Sequence, residues 1–145
     1  MTLTIGEVSK KTNLSVPTLR YYDREGLFPG LQRESGIRKF SDKELAGIQV
    51  IECLKKSGLS IPDIKQFMDW TTMGSETFEE RKDLFVNQRA QVEKQLNDLK
   101  RVDNLLRYKC WYYEMAMKLG SEEAVKAIPF DQLPKKIQEN FPFEH

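Results

Sequence analysis

The feature that most constrains the fold is the stretch from Ser75 to Leu119, which contains neither glycine nor proline. Apolar side chains recur in it at a strict seven-residue spacing, a pattern typical of a long helix that pairs with another helix. These side chains are Phe78, Phe85, Val92, Leu99, Leu106 and Tyr113. A second seam is only partial, since Lys82 and Arg89 interrupt it. The spacing predicts one helix from about residue 77 to residue 119.

Such a helix cannot bury its apolar stripe against itself, so we expect an antiparallel dimerisation coiled coil. The alternative is a helix that folds back on its own domain. We favour the homodimer because few apolar residues remain elsewhere in the chain to cover the stripe. The predicted dimer interface consists of Phe85, Val92, Leu96, Leu99, Leu106 and Tyr113.

The N-terminal segment predicts a helix-turn-helix. Thr4 and Glu7 have the spacing of a capping box, which starts a short helix ending at about residue 12. After a turn, Ser15 suits the N-cap of a second helix with Pro17 in its first turn, and Gly26 suits its end. Two short helices joined by a tight turn make up this motif.

A small two-stranded wing is expected next. Ser35 and Gly36 suit the tip of a hairpin, since glycine readily adopts positive φ. The flanking segments would carry Arg33 on one arm and Arg38 on the other. The wing and the preceding helix pair together predict a winged helix-turn-helix.

A second helix pair follows. A second capping box begins at Ser41, and Ser60 suits the start of the next helix. Both helices carry an apolar stripe at helical spacing, formed by Leu45, Ile48, Ile51, Leu54, Ile61, Ile64, Phe67 and Met68. The predicted fold class is therefore mainly α, with residues 1–74 as the DNA-binding domain, 75–119 as the dimerisation helix and 120–145 as a C-terminal tail.

Composition excludes several functional classes. No apolar run is long enough to cross a bilayer and no secretory signal begins the chain, so we expect a cytoplasmic protein without a membrane partner. Cys53 and Cys110 are far apart, and the only histidine is His145, so neither a metal site nor a catalytic triad can be assembled. Because no nucleotide-binding loop occurs either, we expect no enzyme, cofactor or metal.

The second helix of the helix-turn-helix carries the residues best suited to bind DNA. Burial of Leu19 would leave Arg20 and Tyr21 projecting outward, and arginine pairs with guanine or phosphate while tyrosine hydroxyls suit phosphate oxygens. Tyr22 suits DNA contact and the core equally, and Arg20 could instead pair with Asp23 or Glu25. The predicted DNA-binding residues are Thr4, Val16, Thr18, Arg20, Tyr21, Tyr22, Arg33, Arg38 and Lys39.

The run from Val16 to Leu27, VPTLRYYDREGL, followed by SGIRKF at residues 35–40, resembles the MerR family of regulators over about residues 3–118. The resemblance implies a homodimer that binds a palindromic promoter element with an overlong spacer. It further implies that an effector changes the protein so that it bends and untwists the DNA, which aligns the promoter for RNA polymerase.

Within the family, the segment around Cys53 is similar to the short, thiol-based, aldehyde-responsive subgroup (AdhR/NmlR type). That resemblance implies that Cys53 senses a small electrophile, since a thiolate adds to carbonyl compounds and nearby Lys55 and Lys56 would favour the thiolate. By helical projection Cys53 could face a seam between helices. Three alternatives remain: Cys53 is a small buried hydrophobe, the effector is an apolar ligand held near Trp70 and residues 111–113, or the protein bends DNA without an effector.

Overall fold

The computed structural model describes residues 1–143 and contains two compact units, residues 1–92 and the chain from Glu93 onward. Glu144 and His145, the end of the predicted tail, lie outside the described residues. The domain boundaries expected at residues 74 and 119 stay a prediction. The mainly helical architecture with a small wing and one long helix is confirmed.

The helix-turn-helix consists of α1 (Ile5–Thr12) and α2 (Val16–Arg24). The capping box is present: the Thr4 hydroxyl accepts from the Glu7 N–H at 3.3 Å, and the Glu7 carboxylate accepts from the Thr4 N–H at 3.1 Å. Ser15 caps α2 in the same way, since its hydroxyl accepts from the Thr18 N–H at 3.2 Å. These local bonds satisfy backbone donors that have no partner inside a helix, and they set where each helix begins.

The wing consists of β1 (Gln32–Glu34) and β2 (Ile37–Lys39), which pair antiparallel with Arg33 opposite Arg38. Ser35 and Gly36 form its tip, with φ of 51° and 79°, so the positive φ expected at Gly36 is observed and Ser35 adopts it as well. The predicted hairpin is confirmed.

The second helix pair consists of α3 (Asp42–Lys56) and α4 (Ile61–Trp70), and a short 3-10 helix follows at Gly74–Thr77. Both helices bury their apolar stripes against the helix-turn-helix and so form one core. Its fully buried side chains are Val8, Leu19, Tyr22, Leu27, Phe40, Ile51, Leu54 and Ile64. This core fixes the position of α2 relative to the wing.

The long helix α5 (Phe78–Leu119) has 42 residues and follows the predicted bounds. In the first unit, Leu84 packs against the core and Gln88 is buried, donating to the carbonyl and hydroxyl oxygens of Ser57. The predicted seam is covered only at its start, because Phe85 packs on Phe67 with ring centroids 5.1 Å apart, whereas Leu99 is 65% and Leu106 59% exposed. Within the chain, the seam is therefore largely uncovered.

The C-terminal segment contains α6 (Glu122–Lys126), a 3-10 helix (Phe130–Gln132) and α7 (Lys135–Glu139). It packs against the end of α5 through aromatic rings, with Tyr108 and Phe141 centred 5.4 Å apart. The hydroxyl of Tyr112 donates to Glu122 at 2.9 Å. Burial and this hydrogen bond to a carboxylate raise the pKa of Tyr112 to about 12.

Candidate nucleic-acid interface

Helix α2 presents the side chains that were expected to face outward. Arg20 is exposed and Tyr21 is 39% exposed, whereas Leu19, which precedes them on α2, is fully buried in the core. Among residues 1–143, Arg20 forms no salt bridge, so the alternative pairing with Asp23 or Glu25 is not observed. The side chains of Arg20 and Tyr21 are thus accessible for contact with a polyanion.

Val16 and Thr18 lie in the first turn of α2 and are half-buried. The hydroxyl of Thr18 lies 2.8 Å from that of Ser15, so this end of the helix is held by its own polar side chains. Thr4 is similarly engaged in the capping box of α1. The predicted DNA contact of Val16, Thr18 and Thr4 remains a prediction, and the two threonines already have a structural role.

Tyr22, unlike Tyr21, is buried. Its ring is 1% exposed and lies in the core, three residues after Leu19 on the same face of α2. The hydroxyl donates to the Glu52 carboxylate and accepts from the Lys55 ammonium at 2.8 Å, both on α3. Burial and the hydrogen bond to Glu52 raise the pKa of Tyr22. Of the two interpretations left open by the sequence, the structure therefore places the Tyr22 ring in the core, with its hydroxyl held by Glu52 and Lys55. Contact of Tyr22 with DNA stays a prediction.

The wing arginines converge on one carboxylate of α2. Arg33 Nη2 lies 2.5 Å and Arg38 Nε 2.7 Å from the same oxygen, Oδ2 of Asp23. Partial burial raises the pKa of Asp23, but the hydrogen bonds from Arg38 and Arg33 outweigh it and hold that pKa below its ordinary value. Sequence reasoning considered Asp23 only as a partner of Arg20, and no local signal identifies partners ten and fifteen residues away.

Lys39, at the end of β2, is half-buried, and its ammonium lies 4.0 Å from a carboxylate oxygen of Glu34. The wing therefore carries three cations, of which Arg33 and Arg38 share the face that contacts Asp23 of α2, whereas Lys39, next to Arg38 on β2, lies on the opposite face. The predicted DNA contact of Lys39 stays a prediction. We call the surface formed by Arg20 on α2 and by Arg33 and Arg38 on the wing the α2–wing surface. Such a surface suits a phosphate backbone.

Cys53 lies on α3 and is exposed. Its interpretation as a buried hydrophobe is therefore wrong, and within the described chain no helix covers it in a seam. Its neighbours in sequence, Glu52 and Lys55, hold the hydroxyl of Tyr22. The thiol is thus accessible and lies on the helix that contacts α2.

Cys110, on α5, is likewise exposed within the chain. In the described part of the chain, no group of three or more His, Cys, Asp or Glu side chains could hold a metal ion.

Within residues 1–143, no helix is both long enough and apolar enough to span a membrane.

Comparison with known proteins identifies the family. Residues 3–70 match the MerR HTH family regulatory protein, and residues 45–108 match a second region described as MerR, DNA binding. An uncharacterized HTH-type transcriptional regulator of Haemophilus influenzae is 44% identical over 136 residues, which cover 93% of this chain and 98% of the relative. The regulator AdhR of Bacillus subtilis is 35% identical over 91 residues, which cover 62% of this chain and 65% of AdhR.

A solved structure shows the same fold with DNA. HiNmlR, described as a MerR family regulator lacking the sensor domain and bound to promoter DNA, is 44% identical to this chain with a TM-score of 0.74. The match covers 86% of this chain and 99% of HiNmlR. These relatives are transcriptional regulators and not enzymes. This chain therefore belongs to the MerR family and is a DNA-binding transcriptional regulator of the AdhR/NmlR type.

Proposed function

We propose that the protein is a homodimeric activator that binds a palindromic promoter element through the α2–wing surface and responds to small electrophiles through Cys53. The observation that carries the DNA-binding part is the exposed pair Arg20 and Tyr21 on α2, the helix that also holds the two wing arginines through Asp23. Arginine guanidinium groups pair with phosphate and with guanine, and a tyrosine hydroxyl donates to phosphate. The likeness to HiNmlR, which is bound to promoter DNA, supports this use of the surface.

The homodimer is supported by the uncovered seam of α5. Phe85, Leu96, Leu99, Leu106 and Tyr113 are all between 41% and 65% exposed, while Val92 is half-buried. Water contact with so many large apolar side chains at heptad spacing is unfavourable, and a second α5 would cover them. Two copies related by a two-fold axis would present two α2–wing surfaces to the two halves of a palindrome.

Activation would follow from DNA distortion. Two surfaces held by one coiled coil can bend and untwist the promoter between the half-sites, which changes how RNA polymerase meets its two recognition elements. Because bacterial promoters lie in the cytoplasm, this function places the protein there.

Electrophile sensing by Cys53 is supported by the exposure of the thiol and by its position on α3. Its sulfur would attack the carbonyl carbon of an aldehyde, the C=O π bond would break, and the thiol proton would end on the new hydroxyl of a hemithioacetal. Lys55, two residues along, donates to Tyr22 of α2. An adduct that shifts α3 would therefore be transmitted to the helix that contacts DNA.

The test is transcription in vitro from the promoter of the gene that encodes the protein, with and without methylglyoxal. We expect the aldehyde to raise transcription with the wild type and with Cys110→Ala, but not with Cys53→Ala. Cys110 is the matched control because it is the other exposed thiol. Equal responses of wild type and Cys53→Ala would show that the thiol mechanism is wrong.

A non-covalent effector is the second candidate, and one cavity favours it. A cavity of 740 Å³ lies against the second half of α5 and α7, lined in part by Tyr108, Trp111 and Ile137. An aromatic ligand could stack there on Trp111. A response that survives in Cys53→Ala but is lost in Trp111→Ala would support this candidate. Transcription indifferent to any added compound would instead favour a DNA-bending protein without an effector.

A further inference from the structure

We propose that Asp23 is a positioning residue for DNA binding: its carboxylate fixes the two wing arginines against α2, so that helix and wing meet the DNA as one surface. This inference rests on the proposed use of the α2–wing surface. It concerns a residue that carries the wrong charge to bind DNA itself.

The geometry of the wing brings two like charges together. Arg33 and Arg38 are directly opposite each other across the antiparallel pair β1 and β2. Side chains at opposite positions lie on the same face of a hairpin, and like charges there repel each other. The side chain of Asp23 lies between α2 and this face and accepts from both guanidinium groups through Oδ2. One carboxylate thus offsets the repulsion that would otherwise drive the two arginines apart.

The two wing arginines keep N–H donors that Asp23 does not use. Arg38 uses only Nε and Arg33 uses Nη2 in the hydrogen bonds with Asp23. A guanidinium has five N–H donors, so each arginine keeps several for a phosphate oxygen. The carboxylate therefore orients the arginines without using up their capacity to bind DNA.

Asp23 and the two arginines differ in burial. The side chain of Asp23 is 13% exposed, while those of Arg38 and Arg33 are 24% and 47% exposed. The carboxylate is covered by its partners, and the cations form the outer layer. The cluster as a whole presents positive charge to solvent, with the negative charge beneath it.

If Asp23 positions the arginines, its removal should change the affinity for DNA in the direction opposite to that expected from charge alone. Removal of an acidic residue from a DNA-binding surface reduces repulsion of phosphates and should tighten binding. If Asp23 positions the arginines, its removal frees two long side chains that DNA must then order again. Binding should therefore weaken despite the more positive surface.

The experiment measures the dissociation constant of the full-length protein for an operator duplex selected from a random pool, over a range of salt concentrations. We expect Asp23→Asn to weaken binding about tenfold, comparable to the effect of removing one charge-assisted hydrogen bond. We also expect the slope of log affinity against log salt to fall by about one for each phosphate that the variant no longer binds. Circular dichroism and thermal melting at each condition ensure that only folded variants are compared.

The matched control is Glu34→Gln, because Glu34 is an exposed carboxylate of the same wing whose nearest cation is 4.0 Å away. It should leave affinity unchanged or raise it. Asp23→Asn should moreover cause no loss when introduced into an Arg33→Gln, Arg38→Gln background, since nothing remains to be positioned. An equal loss in both backgrounds would indicate a merely structural role and overturn the inference.

The same binding measurements show separately whether the proposed function itself is wrong. If Arg33→Gln and Arg38→Gln leave the affinity unchanged, the wing does not bind DNA and the basis of the inference is removed. If those two variants weaken binding while Asp23→Asn matches or exceeds the wild type, the wing's role in DNA binding stands and the positioning role is wrong.

Discussion

At the scale of single residues, polar side chains join elements that are distant in sequence. Tyr22 of α2 donates to Glu52 and accepts from Lys55, which lie thirty and thirty-three residues later on α3. Its ring fills the core while its hydroxyl reaches this polar pair at the edge. The hydroxyl therefore fixes the rotation of α2, and with it the direction in which Arg20 and Tyr21 point.

Tyr22→Phe should destabilise the fold by about 1–2 kcal/mol, because the ring stays in place but Glu52 and Lys55 lose a hydrogen-bond partner. Urea unfolding at neutral pH measures this free energy. Tyr21→Phe is the matched control, since Tyr21 is exposed and adjacent on the same helix. A loss of equal size in the two variants would contradict the role assigned to the Tyr22 hydroxyl.

Asp23 makes stability depend on pH. Its pKa in the folded chain lies below the ordinary value, so its ionised form is favoured by folding. Its contribution to the free energy of unfolding is thus present above the pKa of the unfolded chain, about 3.9. The contribution is lost as the pH falls from there through the lower pKa of the folded state.

Asp23→Asn should therefore be less stable than the wild type near pH 7, and the difference should shrink as the pH falls below about 4. Urea unfolding of both proteins at a series of pH values measures it. A difference that stays constant on acidification would show that the ion pairs with Arg33 and Arg38 are not its source.

At the scale of elements, capping residues determine where the short helices begin. Helix α1 has only eight residues, too few to be stable by itself, so its first turn depends on the reciprocal bonds of Thr4 and Glu7. At α3 the Glu44 carboxylate likewise accepts from the backbone N–H and the hydroxyl of Ser41. These bonds fix the first turns of α1 and α3.

Thr4→Ala should destabilise the fold by about 1 kcal/mol, the usual effect of losing an N-cap. Thermal melting compares it with Thr2→Ala, in which an exposed neighbour is changed instead. If Thr4→Ala melts like the wild type but binds the operator duplex more weakly, the capping role is minor and the predicted contact of Thr4 with DNA gains support.

At the scale of the whole molecule, the exposed seam of α5 bears on how many copies act together. The first unit buries one face of α5 through Leu84 and Gln88 and leaves Phe85 at 41% exposure. In the second unit Leu99 and Leu106 are more exposed still. Neither unit covers the seam by itself, which is the arrangement expected of a surface reserved for a second chain.

Leu99→Asp should weaken self-association strongly, because it places a charge in the seam without changing the core of residues 1–92. Sedimentation velocity over a range of concentrations measures the change, with Asn97→Asp as a control for the same charge on the outward side of the helix. The monomeric variant should also lose most of its affinity for a full palindrome while retaining weak binding to a half-site. A wild type that is monomeric at all concentrations would contradict the proposed dimer.

Much of this architecture follows from the sequence because the interactions that specify it are local. The hydroxyl and carboxylate caps at Thr4, Ser15 and Ser41 act within three residues, and the positive φ at Gly36 belongs to one turn. The heptad spacing of α5 is also a property of consecutive residues. Helix bounds, the wing and the apolar seam are therefore predictable from the sequence alone.

The surroundings of Tyr22, Asp23 and Cys53 were decided only by the tertiary structure. Each depends on groups that sequence spacing does not bring together: Glu52 and Lys55 for Tyr22, Arg33 and Arg38 for Asp23, and the absence of a covering helix over Cys53 within the described chain. The packing of α2 against α3 and the wing sets these distances. A side chain near the edge of a core can face inward or outward at the same helical spacing, and only the elements packed around it determine which.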